Sequence, residues 1–424
     1  MPNQALDRRR FLQSAGTLAL SAASYAGVVG SNRRIGIGFI GCGGRAQAHI
    51  NAVVKLSQEN RGVSPMAVCD VWDGLDDEYE QANGSTMTKR RYSQGLFPAA
   101  KKCGLNPSDG SRCTKDYRRL LDLKDVDAVC IATPDHWHAK QTLDAFEAGK
   151  DVLVERPMTR TAAEASEVRL AAANANRILV VGVQSLMDPT WQHAAEAIRS
   201  GAIGRVIQVA GGAFRSDPRG LWRFYRIAPQ MTPRTIDWSA WLGSAGAGLP
   251  FDAATFAQWR CVRPFGSGPL GELFAPVLSR LLAASGLTDL RRVVASGGLL
   301  AERDGRTVPD TATLIAEFGE GAQIVLSTCT ANDYPVEEVI RGTNGTIKFA
   351  KGGYHIFRDG KHPSRLESEL KPSETVRLET PRHETESLWV HFLDCARTRQ
   401  PSLQSGPGLG GLVSTILANA AEQI

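Results

Sequence analysis

The chain has 424 residues, 42% hydrophobic and 22% charged, with 49 basic against 44 acidic side chains and a formal net charge of +5. A chain of this length exceeds what one compact core supports, so two domains are expected. The small positive balance comes with no basic run interleaved with aromatics, which excludes nucleic acid as the implied partner, and the eight cysteines form no C-x-x-C pair.

Asp7-Arg8-Arg9-Arg10-Phe11-Leu12-Gln13 is followed by an uncharged small and apolar run over residues 14–30, with Ser24-Tyr25-Ala26 as a cleavage-like triplet. Residues 1–26 resemble a twin-arginine (Tat) export signal, which implies a periplasmic or otherwise exported protein that meets the membrane only in transit. A retained anchor is the alternative, but the run is rich in Ala, Ser and Gly and barely long enough to span. Loss of the leader lowers the net charge by two.

Ile35-Gly36-Ile37-Gly38-Phe39-Ile40 reads as an apolar strand that breaks into Gly41-Cys42-Gly43-Gly44-Arg45-Ala46 and then a helix. Gly41 suits the tight turn, Gly43 lets backbone approach a pyrophosphate, and Ala46 permits close helix–sheet packing, while the helix start supplies free N–H groups. A second strand, Pro65–Asp70, ends on a carboxylate able to accept both ribose hydroxyls of NAD. NADP is disfavoured because Asp70 repels a 2′-phosphate, although Arg45 can offset part of that repulsion. The same letters also fit an ordinary βαβ turn with a solvent-facing Asp. Cys42, Cys69 and Cys130 lie in or beside apolar strands and are expected as buried thiols. Cys103 and Cys113 flank a polar loop, and a disulfide between them is left open.

A polar stretch runs to about residue 115, and a helix is expected around Tyr117–Leu123. Asp127–Thr133 is a continuous apolar strand ending at Pro134-Asp135-His136-Trp137-His138. A helix over Ala139–Gly149, a strand at Asp151–Glu155, a helix over Ala162–Asn174 and a strand at Ile178–Val183 complete a doubly wound parallel sheet, the expected domain 33–183. Beyond it, a helix near Trp191–Ser200 and strands at Val206–Phe214, Ala312–Phe318, Gln323–Thr330, Glu337–Gly342 and Thr346–Phe349 point to an α+β domain, 184–424, with a mostly antiparallel open sheet. Residues 384–398 and 406–424 read as helices able to pack on either domain.

These stretches together resemble the Gfo/Idh/MocA oxidoreductases. The resemblance is carried by the Gly41–Ala46 turn, Ala132–His138, Ala148–Thr159, Ile198–Gly204, Asp237–Gly243 and Pro309-Asp310-Thr311. It implies a Rossmann domain and a homo-oligomer acting on a small carbohydrate or polyol. It also implies cofactor contacts at Gly41, Cys42, Gly43, Gly44, Arg45, Asp70, Thr133, Pro134, His136, His138, Glu155 and Arg156. The family's E-K-P lysine, beside the nicotinamide and the substrate hydroxyl, is here Arg156, a guanidinium that orients an anion but takes up no proton. The family's second catalytic segment aligns at Trp259-Arg260 and Phe265–Glu272, but Glu272, Phe274, Pro276 and Ser279 stand where D, G, H and D belong.

The proton chemistry therefore needs another carrier, and the candidates are Glu272, His138, His193 and Tyr225, with Arg156, Glu272 and His138 taken as the catalytic set. Three readings follow: an oxidoreductase with weakened or altered catalysis, a nucleotide-retaining protein that binds carbohydrate or another protein, and an NAD-assisted glycosidase. His136 and His138 are spaced like metal ligands, but no third ligand is identifiable and no metal is expected. Trp222, Phe224, Tyr225, Trp238 and Trp241 offer either a sugar-stacking platform or ordinary core.

Overall fold

A computed structural model describes residues 34–83, 86–358 and 371–424. The twin-arginine stretch and its cleavage-like triplet lie outside the described residues. Among the described residues, no helix is long and apolar enough to cross a membrane.

The first domain opens with β1 (Ile35–Ile40), buried along its whole length, and a helix over Gly44–Gln58 that leads to β2 (Val63–Cys69). Where the sequence reads only as a polar stretch, the chain forms a hairpin of β3 (Leu75–Asn83) and β4 (Thr86–Gln94), then a helix over Leu96–Lys102. The hairpin carries charge rather than apolar alternation: Glu78 faces Arg91 and Glu80 faces Lys89 across the ladder, so periodicity gives no strand signal. β5 (Cys113–Thr114), β6 (Ala128–Ile131), β7 (Asp151–Glu155) and β8 (Leu179–Gly182) complete a six-stranded sheet. Its order is β5-β2-β1-β6-β7-β8, and all pairs are parallel. The order reverses between β1 and β6, so the ligand crevice of such a sheet opens beyond the C-terminal ends of those two strands. The helix at Tyr117 is shorter than expected, ending at Leu121. Cys103 and Cys113 are free thiols, and Cys113 donates to the Asn106 carbonyl.

The second domain is an eight-stranded sheet built from β9 (Val206–Phe214), β10 (Leu290–Gly298), β11 (Thr311–Phe318), β12 (Ala322–Cys329), β13 (Val339–Gly342), β14 (Gly345–Ala350), β15 (Gly353–Arg358) and β16 (Glu374–Arg377). The order is β10-β11-β12-β9-β13-β14-β15-β16, antiparallel except where β12 runs parallel to β9. Sequence patterning misses β10, an edge strand with most of its side chains partly or fully exposed, and β15 and β16. One face of the sheet is sealed by the helices Thr190–Arg199, Ala275–Ser285 and Pro407–Ala421, whose Leu278, Leu281, Ile416 and Leu417 fill the core.

The last two helices settle differently. Pro407–Ala421 packs on the second core, while Glu384–Thr398 returns to the first, placing Leu388, Trp389, Phe392 and Leu393 beside Phe39 and Ile50. A boundary at residue 183 therefore separates the chain segments but not the two cores.

Candidate active site

A cavity of about 1030 Å³ lies between the domains, at the C-terminal ends of β1 and β6. Its first wall is built from backbone. Gly41 has φ +82°, and a Cβ there would sit 2.8 Å from the Thr133 nitrogen and 2.9 Å from the Ala132 carbonyl, so only glycine lets β1 turn under β6. Gly43 has no atom within 4 Å of its ideal Cβ position and borders the cavity. The Gly44–Gln58 helix starts there with no side-chain cap and no acid in its first turn. Its unsatisfied N–H groups and positive dipole end thus face open space, the arrangement that binds phosphate.

Asp70 follows β2 on the same wall. Its carboxylate accepts the Cys42 N–H at 2.6 Å and the Trp72 N–H at 2.8 Å, which aims it beside the glycine turn and leaves further lone pairs for a diol. Burial pushes its pKa up to about 6, opposed by these two N–H groups and by Lys115. Arg45 is committed elsewhere: its Nε lies 2.7 Å from Glu155 Oε1 and its other nitrogens reach Thr385. The uncapped helix, the open glycine and the aimed carboxylate fit a dinucleotide with a free 2′-hydroxyl.

Glu155, at the end of β7, is buried and surrounded by donors. His49 Nε2 meets it at 2.8 Å, Gln184 Nε2 at 2.9 Å and Arg156 Nη1 at 3.1 Å. Burial acts to protonate it, but Arg45, His49 and Arg156 prevail and hold it well below the carboxylate range. His49 in turn accepts the Trp389 indole N–H at 3.0 Å, so its Nδ1 is an acceptor and its Nε2 the donor to Glu155. Arg156 keeps a buried Nε–H with no partner and borders the cavity.

The segment after β6 divides its residues between two tasks. Thr133, Pro134 and His138 border the cavity, with the Thr133 hydroxyl on Gln141. His136 does not: its Nε2 contacts the Trp241 carbonyl at 2.9 Å, its ring edge meets Trp241 and Phe265, and burial lowers its pKa to about 4. Cys42 likewise contributes its N–H to Asp70 and a buried thiol, not cavity surface. His138 is almost fully buried, and its ring nitrogens face the carbonyls of Pro157 and Thr133 at 2.7 and 2.9 Å. Both nitrogens lie against backbone carbonyls, so the ring ties two loops together. The two histidines thus turn to different backbone acceptors.

The opposite wall comes from the second domain. Glu272 sits in a π turn, Leu270–Phe274, ahead of the Ala275–Ser285 helix, with its Oε1 2.9 Å from Arg260 Nε. Pro276 borders the cavity one turn on, whereas Ser279 is buried, does not border it and donates to the Ala275 carbonyl. Of the other proton candidates, Tyr225 borders the cavity under the Arg260 guanidinium, while His193 lies away from it on Tyr354. Trp222, Phe224, Tyr225 and Trp241 present surface to the cavity; Trp238 stacks behind Trp241 at 4.7 Å.

Asp135 joins these groups on the wall and was not among the site residues chosen from sequence. Its identity is visible in the Thr-Pro-Asp step after β6, but its burial is a tertiary property with no sequence signal.

Residues 35–183 match the family GFO_IDH_MocA, described as "Oxidoreductase family, NAD-binding Rossmann fold". A levoglucosan dehydrogenase from Pseudarthrobacter phenanthrenivorans is 33% identical over 133 residues, which cover 30% of this chain and 33% of that protein. A glycosyl hydrolase family 109 protein from Shewanella pealeana is 31% identical over 184 residues, 38% of this chain and 36% of that protein. The matches thus span about a third of the length of these curated relatives. Among solved structures, levoglucosan dehydrogenase in complex with NADH and levoglucosan superposes with a TM-score of 0.63 at 21% identity, covering 92% of this chain and 97% of that one, which shows a shared two-domain fold. The parallel sheet, its glycine turn and the family match agree: residues 35–183 form an NAD-binding Rossmann fold similar to that of the Gfo/Idh/MocA oxidoreductases.

Proposed function

We propose that the chain is an exported NAD-dependent oxidoreductase acting on a sugar, polyol or glycoside, with proton chemistry altered from that of its family. The observation that supports this most is the cavity that joins an uncapped helix N-terminus, Asp70 and Arg156 on the first-domain side to Glu272, Arg260 and an aromatic surface on the other. When bound, the dinucleotide supplies a hydride acceptor. Glu272 is the side chain placed to receive the hydroxyl proton as the C–H and O–H bonds of the alcohol break and the carbonyl forms, and Arg156 steadies the oxygen's developing charge without taking a proton.

The test is heat release of bound nucleotide from purified protein, followed by NAD reduction against a panel of sugars and polyols. Turnover that Glu272→Gln abolishes supports the reading; turnover unchanged by that variant removes Glu272 from the role. A second reading, glycoside cleavage with recycled NAD, draws on the resemblance to the Shewanella pealeana protein, and aryl-glycoside hydrolysis without net NADH would favour it. Sugar binding with neither reaction would favour a binding protein. Export is tested separately: Arg8→Lys with Arg9→Lys should trap precursor inside the cell, and equal periplasmic yield would overturn it.

A further inference from the structure

The β3–β4 hairpin reaches the cavity and has no part in the scheme above. Gln94, the last residue of β4, borders the cavity, and its side-chain amide makes no hydrogen bond among the described residues. Its Nε2 lies 3.3 Å from where a Cβ on Gly44 would be, so the amide stands at the first residue of the Gly44–Gln58 helix, beside the free N–H groups that suit a phosphate. The root of the hairpin fixes it there. The Gly95 N–H donates to the Cys42 carbonyl of the glycine turn at 3.0 Å, and the Leu96 N–H to the Trp72 carbonyl at 3.0 Å. Gly74 and Gly95, at φ +98° and +90°, approach so closely that a Cβ on Gly95 would lie 2.3 Å from the Gly74 Cα, which leaves no room for a side chain between the two strands. Further out, the hairpin is held by the other domain. Arg226, between β9 and the Trp238–Leu242 helix, grips Asp77 of β3 with two bonds, Nη1 to Oδ1 at 2.7 Å and Nη2 to Oδ2 at 3.1 Å. Its guanidinium lies 4.4 Å from the centre of the Tyr79 ring and 5.5 Å from that of Tyr92. Tyr92 meets Trp72, two residues beyond Asp70, edge-on. β4 thus runs along the cofactor wall, with Tyr92 at the Asp70 end and Gln94 at the helix start.

We propose that the β3–β4 hairpin is a clamp on the cofactor: the Gln94 amide donates to the pyrophosphate, and the Arg226–Asp77 pair holds the hairpin to the second domain so that NAD leaves slowly. A phosphate at the start of the Gly44–Gln58 helix takes donors from two sides, the helix N–H groups and the Gln94 amide, and hydrogen bonds to a charged acceptor are the strong ones. The pair is partly exposed, but its two parallel bonds and the rings of Tyr79 and Tyr92 fix its geometry as a lone surface pair is not fixed. Tyr92, Gln94 and Arg226 all border the cavity. A cofactor lying between them has to part the hairpin from the second domain before it leaves, so the pair acts on release more than on encounter. The clamp requires NAD binding and is independent of the reaction that follows.

The test is ligand binding to the whole chain, with ADP-ribose and NADH as probes. In calorimetry, Gln94→Ala should lower affinity for ADP-ribose about tenfold or more, the usual worth of a hydrogen bond to a charged group. Gln94→Glu, which sets a carboxylate against the phosphates, should lower it further, and the melting temperature of the ligand-free protein should stay unchanged in both. In stopped-flow displacement, NADH should leave about fivefold faster from Asp77→Asn and from Arg226→Met, with little change in the association rate. The double variant should release no faster than either single one, because all three lose the same bond. Gln94→Glu that binds ADP-ribose as the wild type does overturns the phosphate contact, and so does a loss of affinity matched by a fall in the ligand-free melting temperature. Release that neither latch variant speeds, or effects that simply multiply in the double variant, overturns the clamp.

Discussion

On the first wall of the cavity, the groups that would meet a dinucleotide are mostly backbone: a glycine turn, an exposed glycine and an uncapped helix end, with Asp70 and Gln94 supplying side chains. On the second wall the chemistry rests on a few side chains, Glu272 and Arg260 with the aromatic residues around them. The difference shows how binding and catalysis are exposed to change. A phosphate site made of strand and helix ends persists for as long as the fold does, whereas a proton-transfer site is lost by substituting one side chain that the core does not require.

Restoring the family's proton carriers breaks the comparison most directly. Arg156→Lys with Pro276→His should raise NAD reduction by about 10² to 10⁴-fold, the usual worth of general acid–base catalysis, measured as NADH absorbance against sugars and polyols. Ser279→Asp completes the family pattern on paper, but its site is buried in helix packing, so adding it should lower the melting temperature without further gain in rate.

The two glycines of the turn should part company. Gly43→Val fills open space that only a ligand would use, and should leave the melting temperature unchanged while lowering NAD affinity by about 100-fold or more in calorimetry, about 3 kcal/mol. Gly41→Ala places a Cβ against backbone in the left-handed region, and should cost about 2–4 kcal/mol of stability in denaturant unfolding.

Asp70 gives the smaller, pH-dependent effect. Its carboxylate form accepts the ribose hydroxyls, so NAD affinity should fall as pH drops below about 6, by up to about tenfold per unit, and should be flat in Asp70→Asn. Stability runs the other way. The raised pKa of this carboxyl means its contribution is present below pH 4 and lost as pH rises through about 6, so the melting temperature of Asp70→Asn should lack this fall. NADP should bind more weakly than NAD, because Arg45, held by Glu155, is not free to neutralise a 2′-phosphate.

The parallel sheet and its turn were legible because a strand buried on both faces reads as an unbroken apolar run, and Gly41 stands where no other residue fits. The β3–β4 hairpin was not, because its pairing is held by alternating charges and by contacts such as Arg226 to Asp77 that periodicity does not report. In the site, Asp70, Glu155, Arg156 and Glu272 could be named from their letters and positions. The outward turn of His136 and the burial of Asp135 could not, since both depend on what a distant segment places against them: Trp241 and Phe265 in one case, Ser267 in the other.

The helix Glu384–Thr398 has a bearing on synthesis. Trp389, with no exposed surface, packs edge-on to Phe39 and donates to His49, so the core laid down first on the ribosome lacks a main part until some 350 further residues have emerged. The N-terminal core is therefore completed only once the segment Glu384–Thr398 has been made. A chain cut after residue 383 should leave Phe39 and the His49–Glu155 bond open to water, and the polypeptide must stay protected from collapse and proteolysis until that helix arrives.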